Sequence, residues 1–193
     1  MARPRKTGDD TLLDHAEATL RERGVAGLTL QAVAGRAGVS AAGLVKRFGS
    51  KRGMLVAIDR RWLDRLADVL DAVVADRAGP VERVRGLALV WFAGMDDRTI
   101  VVNVLSALAN DLLDDELRGL LGQGWGLLAG RIEQEIAAAH AAGELLRSPP
   151  PTQAAALLLA LAEGIRLTWA VNPAGGLMSR AEYDIDHLLR CWG

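Results

Sequence analysis

Apolar residues recur every three or four positions along nearly the whole chain, and no segment alternates convincingly as a strand does. Half of the 193 residues are hydrophobic, 24% are charged and only 4% are aromatic. This apolar content is sufficient to bury a core, and the Ala, Leu and Val runs favour helices over sheets. The sequence therefore predicts an all-α fold of about nine helices, in one domain of ordinary size or two small ones.

Three closely spaced helical segments occupy the N-terminal quarter of the chain. The first is expected from Thr11 to Gly24. Thr29 is a candidate N-cap for a second, short helix that ends at Gly38. Ser40 is the equivalent cap for a third helix that reaches Arg47. Two short helices joined by a turn that contains glycine indicate a helix-turn-helix, so the head is expected to be a three-helix unit.

Six further helices are expected in the rest of the chain. They run from Ser50 to Ala75, Val81 to Gly94, Ile100 to Asn110, Asp114 to Ala142, Thr152 to Val171 and Ser179 to Trp192. Pro80 fits the first position of one of them, and the pair Asp96-Asp97 fits the start of the next. Several glycines leave two alternatives for the long segment after Asp114. Either it is interrupted near Gly122–Gly126, or its small residues admit a close neighbour.

Charge is divided unevenly along the chain. Residues 1–53 carry 10 Lys and Arg against 5 Asp and Glu, a balance of +5, while residues 54–193 carry 13 against 19, a balance of −6. A basic head on an acidic body suggests that only the head has a polyanionic partner. We therefore expect a DNA-binding domain in residues 1–53, connected by the helix Ser50–Ala75 to a body that comprises residues 54–193.

Cysteine content and hydropathy point to a soluble cytoplasmic protein. The single cysteine, Cys191, excludes a disulfide within the chain. The start MARPRKTGDD is polar and basic, which is not the pattern of a secretory signal. The longest uncharged stretch, Ser148 to Ala162, is 15 residues long and carries three prolines, short of the roughly 20 apolar residues that a bilayer span requires. No membrane partner is expected.

The candidate DNA-binding residues lie at helix starts or on the basic face of the third helix. Such a helix enters the major groove by its N-terminal residues, and helix N-termini bind phosphate. Small residues there offer contact to a thymine methyl group, while cations one turn later reach phosphates or a guanine edge. The candidates are Thr29, Gln31, Arg36, Ser40, Ala41, Ala42, Lys46, Arg47 and Lys51. The alternative is a solvated basic face whose caps only stabilise helices.

The run Leu28 to Leu55 resembles the DNA-binding head of the tetracycline-repressor (TetR) family of bacterial regulators. The resemblance covers roughly residues 10–60. The matching elements are Gly24, Leu28-Thr29-Leu30, Val33-Ala34, Ala37-Gly38-Val39-Ser40, Leu44, Phe48, Ser50-Lys51 and Leu55. One position departs from the family pattern, because Val45 stands where the family usually has a tyrosine that touches the phosphate backbone. Direct readout would then rest on Lys46, Arg47 and Gln31, so we expect modest or partly indirect specificity.

The resemblance implies that residues 54–193 form a ligand-binding and dimerisation domain, with a ligand cavity whose occupation changes DNA affinity. Large or polar side chains among the Ala and Leu helices are its candidate lining: Trp91, Met95, Asn103, Trp125 and Trp169. Such a lining would suit a lipophilic or aromatic small molecule with one or two polar groups. The alternative is that these side chains form plain core.

The segment Ala154–Ala162 is apolar on every face and must be covered all round. A second copy of the chain would cover it, forming with the last helix a four-helix interface across a two-fold axis, as the resemblance also implies. The candidate interface residues are Leu157, Leu161, Ile165, Leu188 and Trp192. The alternative is an internal core helix.

Enzymatic patterns are weak. His15, His140 and His187 lie in separate helices without ligand spacing, so neither a metal site nor a cofactor is expected. The glycine run near Trp125 lacks a phosphate-binding fingerprint. Glu163 and Arg166 at i, i+3 fit an ion pair on a helix surface or at an interface.

These patterns together favour a homodimeric, ligand-responsive DNA-binding regulator, a repressor in preference to an activator, that is released from a palindromic operator by a lipophilic or aromatic molecule. The partners would be duplex DNA, a small-molecule effector and a second copy of the chain. The rival interpretation is a helical small-molecule-binding protein, or an enzyme with an apolar pocket, whose basic head has no specific role with DNA.

Overall fold

A computed structural model describes residues 8–95 and 97–193, so residues 1–7 and Asp96, on which part of the sequence interpretation fell, lie outside the described residues. The described chain contains nine α-helices, one short 3-10 helix and no strand. The helices are α1 (Asp9–Gly27), α2 (Leu30–Ala37), α3 (Ala41–Phe48), α4 (Lys51–Ala75), α5 (Pro80–Leu89), α6 (Arg98–Asp111), α7 (Asp115–Ala141), α8 (Pro151–Val171) and α9 (Leu177–Trp192). The predicted all-α fold is confirmed.

The helix-turn-helix has the predicted bounds because its turn residues are suited to their positions. Gly38 ends α2 in the left-handed region (φ 66°, ψ 28°), which glycine adopts without steric cost. The backbone N–H of Val39 then donates to the carbonyl of Ala34 at 3.1 Å, a Schellman-type closure. In α1, helical geometry breaks at Gly24 (φ 67°) as expected, although one further turn follows to Gly27.

Two boundaries in the body differ from the prediction. The helix expected to reach Gly94 ends as α5 at Leu89 and tightens into a 3-10 turn over Val90–Phe92, a common helix ending. The last helix begins at Leu177 with Gly176 as its N-cap, so Ser179 lies inside the first turn and is not the cap.

The long helix α7 continues through its glycines, so of the two alternatives the interruption near Gly122–Gly126 does not occur. A methyl group added at Gly122, Gly126 or Gly130 would meet nothing within 4 Å, so these glycines do not admit a close neighbour within the described chain either. Neighbouring turns hold this segment helical despite the low helix propensity of glycine.

The described chain divides into two compact units, each made of two separate stretches of sequence, while the domain boundary after residue 53 stays a prediction. Unit 1 comprises the described residues up to Trp62 together with Thr99–Leu121, and unit 2 comprises those of 63–98 together with Gly122–Gly193. Helices α4 and α7 each contribute residues to both units. The helix-turn-helix therefore belongs to a larger unit than its sequence suggests.

One apolar core holds unit 1 together. Its buried members are Leu12, Leu13, Ala16, Leu28, Val33, Ala34, Leu44, Met54, Leu55, Val56, Ile58 and Leu117. Leu44 is fully buried from α3, which fixes the orientation of that short helix. Leu117 comes from α7, far away in sequence, and it is 1% exposed. The start of α7 is therefore part of the core that supports the helix-turn-helix.

A buried arginine joins α4 to α1. Arg61 is 7% exposed and donates to the carbonyl oxygen of Asp10 at 2.7 Å, to Oδ1 of Asp14 at 2.8 Å and to Oε1 of Glu17 at 2.5 Å. Charge-assisted bonds to a guanidinium are directional. They therefore fix the register of α4 along α1 as well as the distance between the two helices.

Unit 2 is a helical body in which α9 packs against α5 and α8. Helix α8 is the one helix of the described chain that is long and apolar enough to cross a membrane, with a mean hydropathy of 1.6. The core helix of a globular domain has the same composition. One side of α8, including Leu158, Ala162 and Ile165, is buried within the chain.

A half-buried acidic group lies within unit 1. Burial, reinforced by the negative charges of Asp111 and Glu17, raises the pKa of Asp59 on α4 to about 7. Burial also raises the pKa of Asp111 on α6. Because the folded chain disfavours the charged form of Asp59, its contribution to stability is fully present below the unfolded pKa of about 4 and is lost as the pH rises towards 7.

Replacing Asp59 by Asn should remove this pH dependence. Relative to wild type, the free energy of unfolding of Asp59→Asn should rise by about 2–3 kcal/mol between pH 5 and pH 8, since one pKa unit corresponds to about 1.4 kcal/mol. Urea denaturation at several pH values measures the difference. Asp64→Asn, at an exposed position of the same helix, should show no comparable trend. Parallel pH profiles for wild type and Asp59→Asn would contradict the assignment.

Candidate nucleic-acid interface

Three hydroxyl side chains cap successive helix starts in unit 1. Oγ1 of Thr29 accepts from the backbone N–H of Ala32 at 3.0 Å. Oγ of Ser40 accepts from Gly43 at 3.1 Å, and Oγ of Ser50 accepts from Gly53, also at 3.1 Å. Each cap satisfies one N–H that the helix itself cannot pair. The predicted caps of α2, α3 and α4 are thereby confirmed as local structure.

A close contact fixes the end of α3 against the start of α4. A Cβ atom at Gly53 would lie 2.0 Å from the carbonyl oxygen of Phe48, so only glycine is accommodated there. The N–H of Ser50 donates to the same carbonyl at 2.8 Å. This tight junction fixes the short stretch of backbone that carries Lys46 on one side of the turn and Lys51 on the other.

The basic residues of unit 1 differ in whether an acid already pairs with them. Arg36 forms a bidentate pair with Glu22, at 2.6 and 2.9 Å, and this pairing lowers the pKa of the Glu22 carboxyl. Nη1 of Arg47 lies 3.2 Å from a carboxylate oxygen of Asp9.

Arg52, which follows Lys51 in the sequence, is held by acids from the start of α7. It donates to both carboxylate oxygens of Asp114, at 2.6 and 2.9 Å, and to Glu116 at 3.0 Å. Bonding to Arg52 lowers the pKa of Asp114 to about 2. Sequence reasoning missed this residue, because its partners lie more than 60 positions away.

Among the residues that the structure describes, Lys46 and Lys51 are in no ion pair with an acid. Lys46 is exposed and Lys51 is half-buried. Gln31 and Ala42 are also exposed, and Ala41 is half-buried at the first position of α3. The uncompensated positive charge of the candidate interface therefore concentrates at Lys46 and Lys51, with Arg36 and Arg47 partly neutralised.

The candidate ligand-pocket residues are divided between the two units. Trp91, Met95, Trp125 and Trp169 lie in unit 2, where the indole N–H of Trp169 donates to the carbonyl of Gly175 at 3.2 Å. Asn103 lies in unit 1, where its side-chain amide donates to the carbonyl of Arg21 at 2.9 Å. The amide of Asn103 is thus engaged by the end of α1, and the lining of one cavity by these five residues stays a prediction.

The candidate dimer residues include both exposed and buried side chains. Leu157 is 48% exposed on α8, and Leu161 and Leu188 are half-buried. Ile165 and Trp192 are 3% and 6% exposed. The last two are packed inside their own unit, which leaves Leu157, Leu161 and Leu188 available to a second copy.

The pair predicted between Glu163 and Arg166 forms, but not on a helix surface. Nη2 of Arg166 donates to Oε1 of Glu163. Arg166 is 7% exposed on the inward side of α8. Its placement there follows from the stripe Ala162, Ile165 and Trp169, which is also buried.

Two parts of the chain match models of known protein families. Residues 12–58 match the model of bacterial regulatory proteins of the tetR family, and residues 80–190 match the C-terminal domain of BetI-type transcriptional repressors. The second match alone covers more than half of the chain. The chain therefore belongs to the TetR family of transcriptional regulators.

Among individual proteins, the HTH-type transcriptional repressor KstR2 of Mycobacterium tuberculosis is 33% identical over 85 residues, which span 44% of this chain and 42% of that protein. A protein from Saccharomonospora viridis, solved in complex with choline, aligns with a TM-score of 0.81 at 19% identity and covers 94% of each chain. FadR from Bacillus subtilis, in complex with stearoyl-CoA, aligns with a TM-score of 0.74 at 14% identity and covers 94% of this chain and 98% of its own. These structures share the fold while their ligands differ.

Two substitutions at Ser40 separate the loss of the capping hydrogen bond from the effect of an added negative charge. Ser40→Ala should lower the free energy of unfolding by about 1 kcal/mol, because the N–H of Gly43 loses its acceptor. Ser40→Asp should keep the wild-type stability, since a carboxylate caps a helix equally well and suits its positive end. Denaturant titration of both variants measures this. Wild-type stability for Ser40→Ala would show that the bond to Gly43 contributes nothing, and an equal loss for Ala and Asp would show that a carboxylate does not replace the hydroxyl as a cap.

Proposed function

We propose that the chain is a DNA-binding transcriptional repressor of the cytoplasm that acts as a homodimer and releases its operator when a small molecule binds the body. The observation that carries the proposal is the α3 start. A capped, exposed helix N-terminus is followed at Lys46 and Lys51 by cations that no acid of the described chain neutralises. Membership of the TetR family supports the same role.

The expected mode of binding follows from the geometry of the head. Helix α3 would enter the major groove by its N-terminal residues, with Ala41 and Ala42 against thymine methyl groups and Lys46 near phosphate or a guanine edge. Lys51, at the start of α4, would bind a phosphate of the adjacent backbone. Arg36 and Arg47 would contribute less, because each must first leave a carboxylate partner.

Dimerisation is supported by the outward side of α8. Leu157, Leu167 and Val171 are 48%, 57% and 74% exposed, and the exposed or half-buried positions between them include Ala160 and Gly164. An apolar side of this kind is typical of a protein-protein interface. A two-fold axis along α8 and α9 would bury it and would present two heads to a palindromic site.

The effector is expected to be a lipophilic or aromatic small molecule bound in unit 2, where the tryptophans lie. KstR2, the relative with 33% identity over part of the chain, is a ketosteroid transcriptional regulator by name, which agrees with a lipophilic ligand. Helices α4 and α7 contribute to both units, so they provide continuous backbone between effector and head. An effector that prefers the low-affinity state would weaken DNA binding by its differential affinity, typically about 1–3 kcal/mol.

In vitro selection of duplexes by the full chain tests the proposal. It should recover a palindrome whose half-sites lie about one helical turn, ~34–36 Å, apart. On that operator, Lys46→Ala and Lys51→Ala should each weaken binding and reduce the dependence of log K on log salt by about one phosphate contact. Arg36→Ala should have a smaller effect, because Glu22 already compensates its charge.

The matched control for the charge argument is Glu22→Gln. It releases Arg36 from its carboxylate and should strengthen binding to operator and random duplex alike. Fluorescence anisotropy at several salt concentrations measures all four variants. Recovery of no symmetric site, or lysine variants with wild-type salt dependence, would contradict the proposed interface.

The dimer is tested by placing a charge on α8. Leu157→Arg should convert the protein to a monomer in sedimentation equilibrium, because an unpaired charge would be buried between the two copies. Leu113→Arg is the control, since Leu113 is 88% exposed in unit 1 and belongs to no proposed interface. A monomeric wild type, or a dimeric Leu157→Arg, would contradict the interface.

A further inference from the structure

A charged pair lies on the inward side of the most apolar helix of unit 2. Arg166 is 7% exposed and bonds through Nη2 to Oε1 of Glu163, one turn earlier on α8. Two atoms of the pair, Nε of Arg166 and Oε2 of Glu163, are buried and have no hydrogen-bond partner among the described residues. One donor and one acceptor of the same pair are therefore left unsatisfied.

This arrangement is costly for the fold alone. A buried ion pair regains its desolvation cost only when the remaining donors and acceptors are also bonded. Exposed helix pairs in the same unit lack this difficulty: Arg180, for example, bonds to Asp184 at 2.5 Å on α9 with half of its side chain in solvent. Apolar residues would fill the inward position of α8 at lower cost.

We infer that Glu163 and Arg166 recognise the polar end of the effector, and that this end is an uncharged hydroxyl group on a lipophilic body. A hydroxyl oxygen accepts a hydrogen bond from Nε of Arg166, while its proton is donated to Oε2 of Glu163. One small group thus satisfies both atoms. The inference rests on the proposed function, because it assigns the effector class of the same regulator.

The zero net charge of the pair selects against ionic ligands. Glu163 and Arg166 are together neutral, so a carboxylate or an ammonium brought beside them finds no net opposite charge to repay its lost hydration. Trp169 follows Arg166 by one turn on the buried side of α8, and its indole N–H is already bonded to Gly175. Its ring therefore offers an apolar surface to the body of the ligand, not a further polar contact.

Matched probes test whether the effector is an uncharged alcohol. Decan-1-ol and 2-naphthol carry the hydroxyl group on a linear and an aromatic body. Decanoate, 2-naphthoate and decylamine carry charge on the same or a comparable body. Each is titrated against the full-length protein, with intrinsic tryptophan fluorescence and release of the selected operator as readouts. We expect at least one alcohol to bind about tenfold or more tightly than its charged counterparts and to release the operator.

The variant that tests the pair is Glu163→Leu with Arg166→Met, which removes both charges and leaves no unpaired one. It should fold with a Tm at or above that of wild type, bind the operator as wild type does, and bind the alcohol about tenfold more weakly. The control is Asp184→Leu with Arg180→Met, which removes an exposed pair of α9 and should leave alcohol binding unchanged.

The outcomes distinguish the two proposals. Failure of the wild-type protein to bind any selected operator refutes the proposed function. If operator binding is intact, the inference alone is refuted when neither alcohol binds, when charged probes bind as tightly, when the double variant keeps alcohol affinity, or when its Tm falls markedly. That last result would show that the pair stabilises the fold.

Discussion

The placement of the recognition helix depends on the burial of Leu44, Leu117 and their neighbours in one core. Helix α3 has only eight residues and would not be stable alone, so it is held by its packing against α2 and by Leu44, which shares a core with residues of α1, α4 and α7. Because Leu117 belongs to α7, the DNA-binding head is completed by chain that follows it by more than 60 residues. A separate head made of residues 1–53 would lack Met54, Ile58 and Leu117 from its core.

Electrostatics within unit 1 decide which cations remain available to a polyanion. The head has an excess of basic residues, yet acids of the same unit pair with Arg36, Arg47 and Arg52. Pairs at the surface contribute little to stability, but each must be broken before its arginine can bind phosphate. The number of basic residues in the sequence therefore overstates the positive charge that is available to a polyanion. A basic residue is available only where no neighbouring acid pairs with it.

Local patterns predicted the fold class, the nine helices and the three hydroxyl caps, because caps, turns and helical periodicity depend on residues three or four positions apart. The same patterns did not predict where charged side chains lie. Arg61 reaches α1 across more than 40 positions, and the pKa of Asp59 is raised by its burial and then by the charge of Asp111 on α6. Arg166 was expected on a helix surface or at an interface, because its spacing from Glu163 suits an ion pair there. Only the packing of α8 determines that it is buried.

The head half of α4 is held by charged groups from two other helices as well as by the core. Arg61 bonds to acids of α1, while Arg52 and Arg60 bond to Asp114 and Glu116 at the start of α7. Such bonds are directional, so a small rotation of α4 would break some of them while its apolar contacts remain. Because each of these partly exposed pairs contributes little on its own, exchanging one or two of them costs little free energy. An effector acting through α4 or α7 would therefore need only to exchange a few of these pairs, without opening the core, to change the position of Lys51.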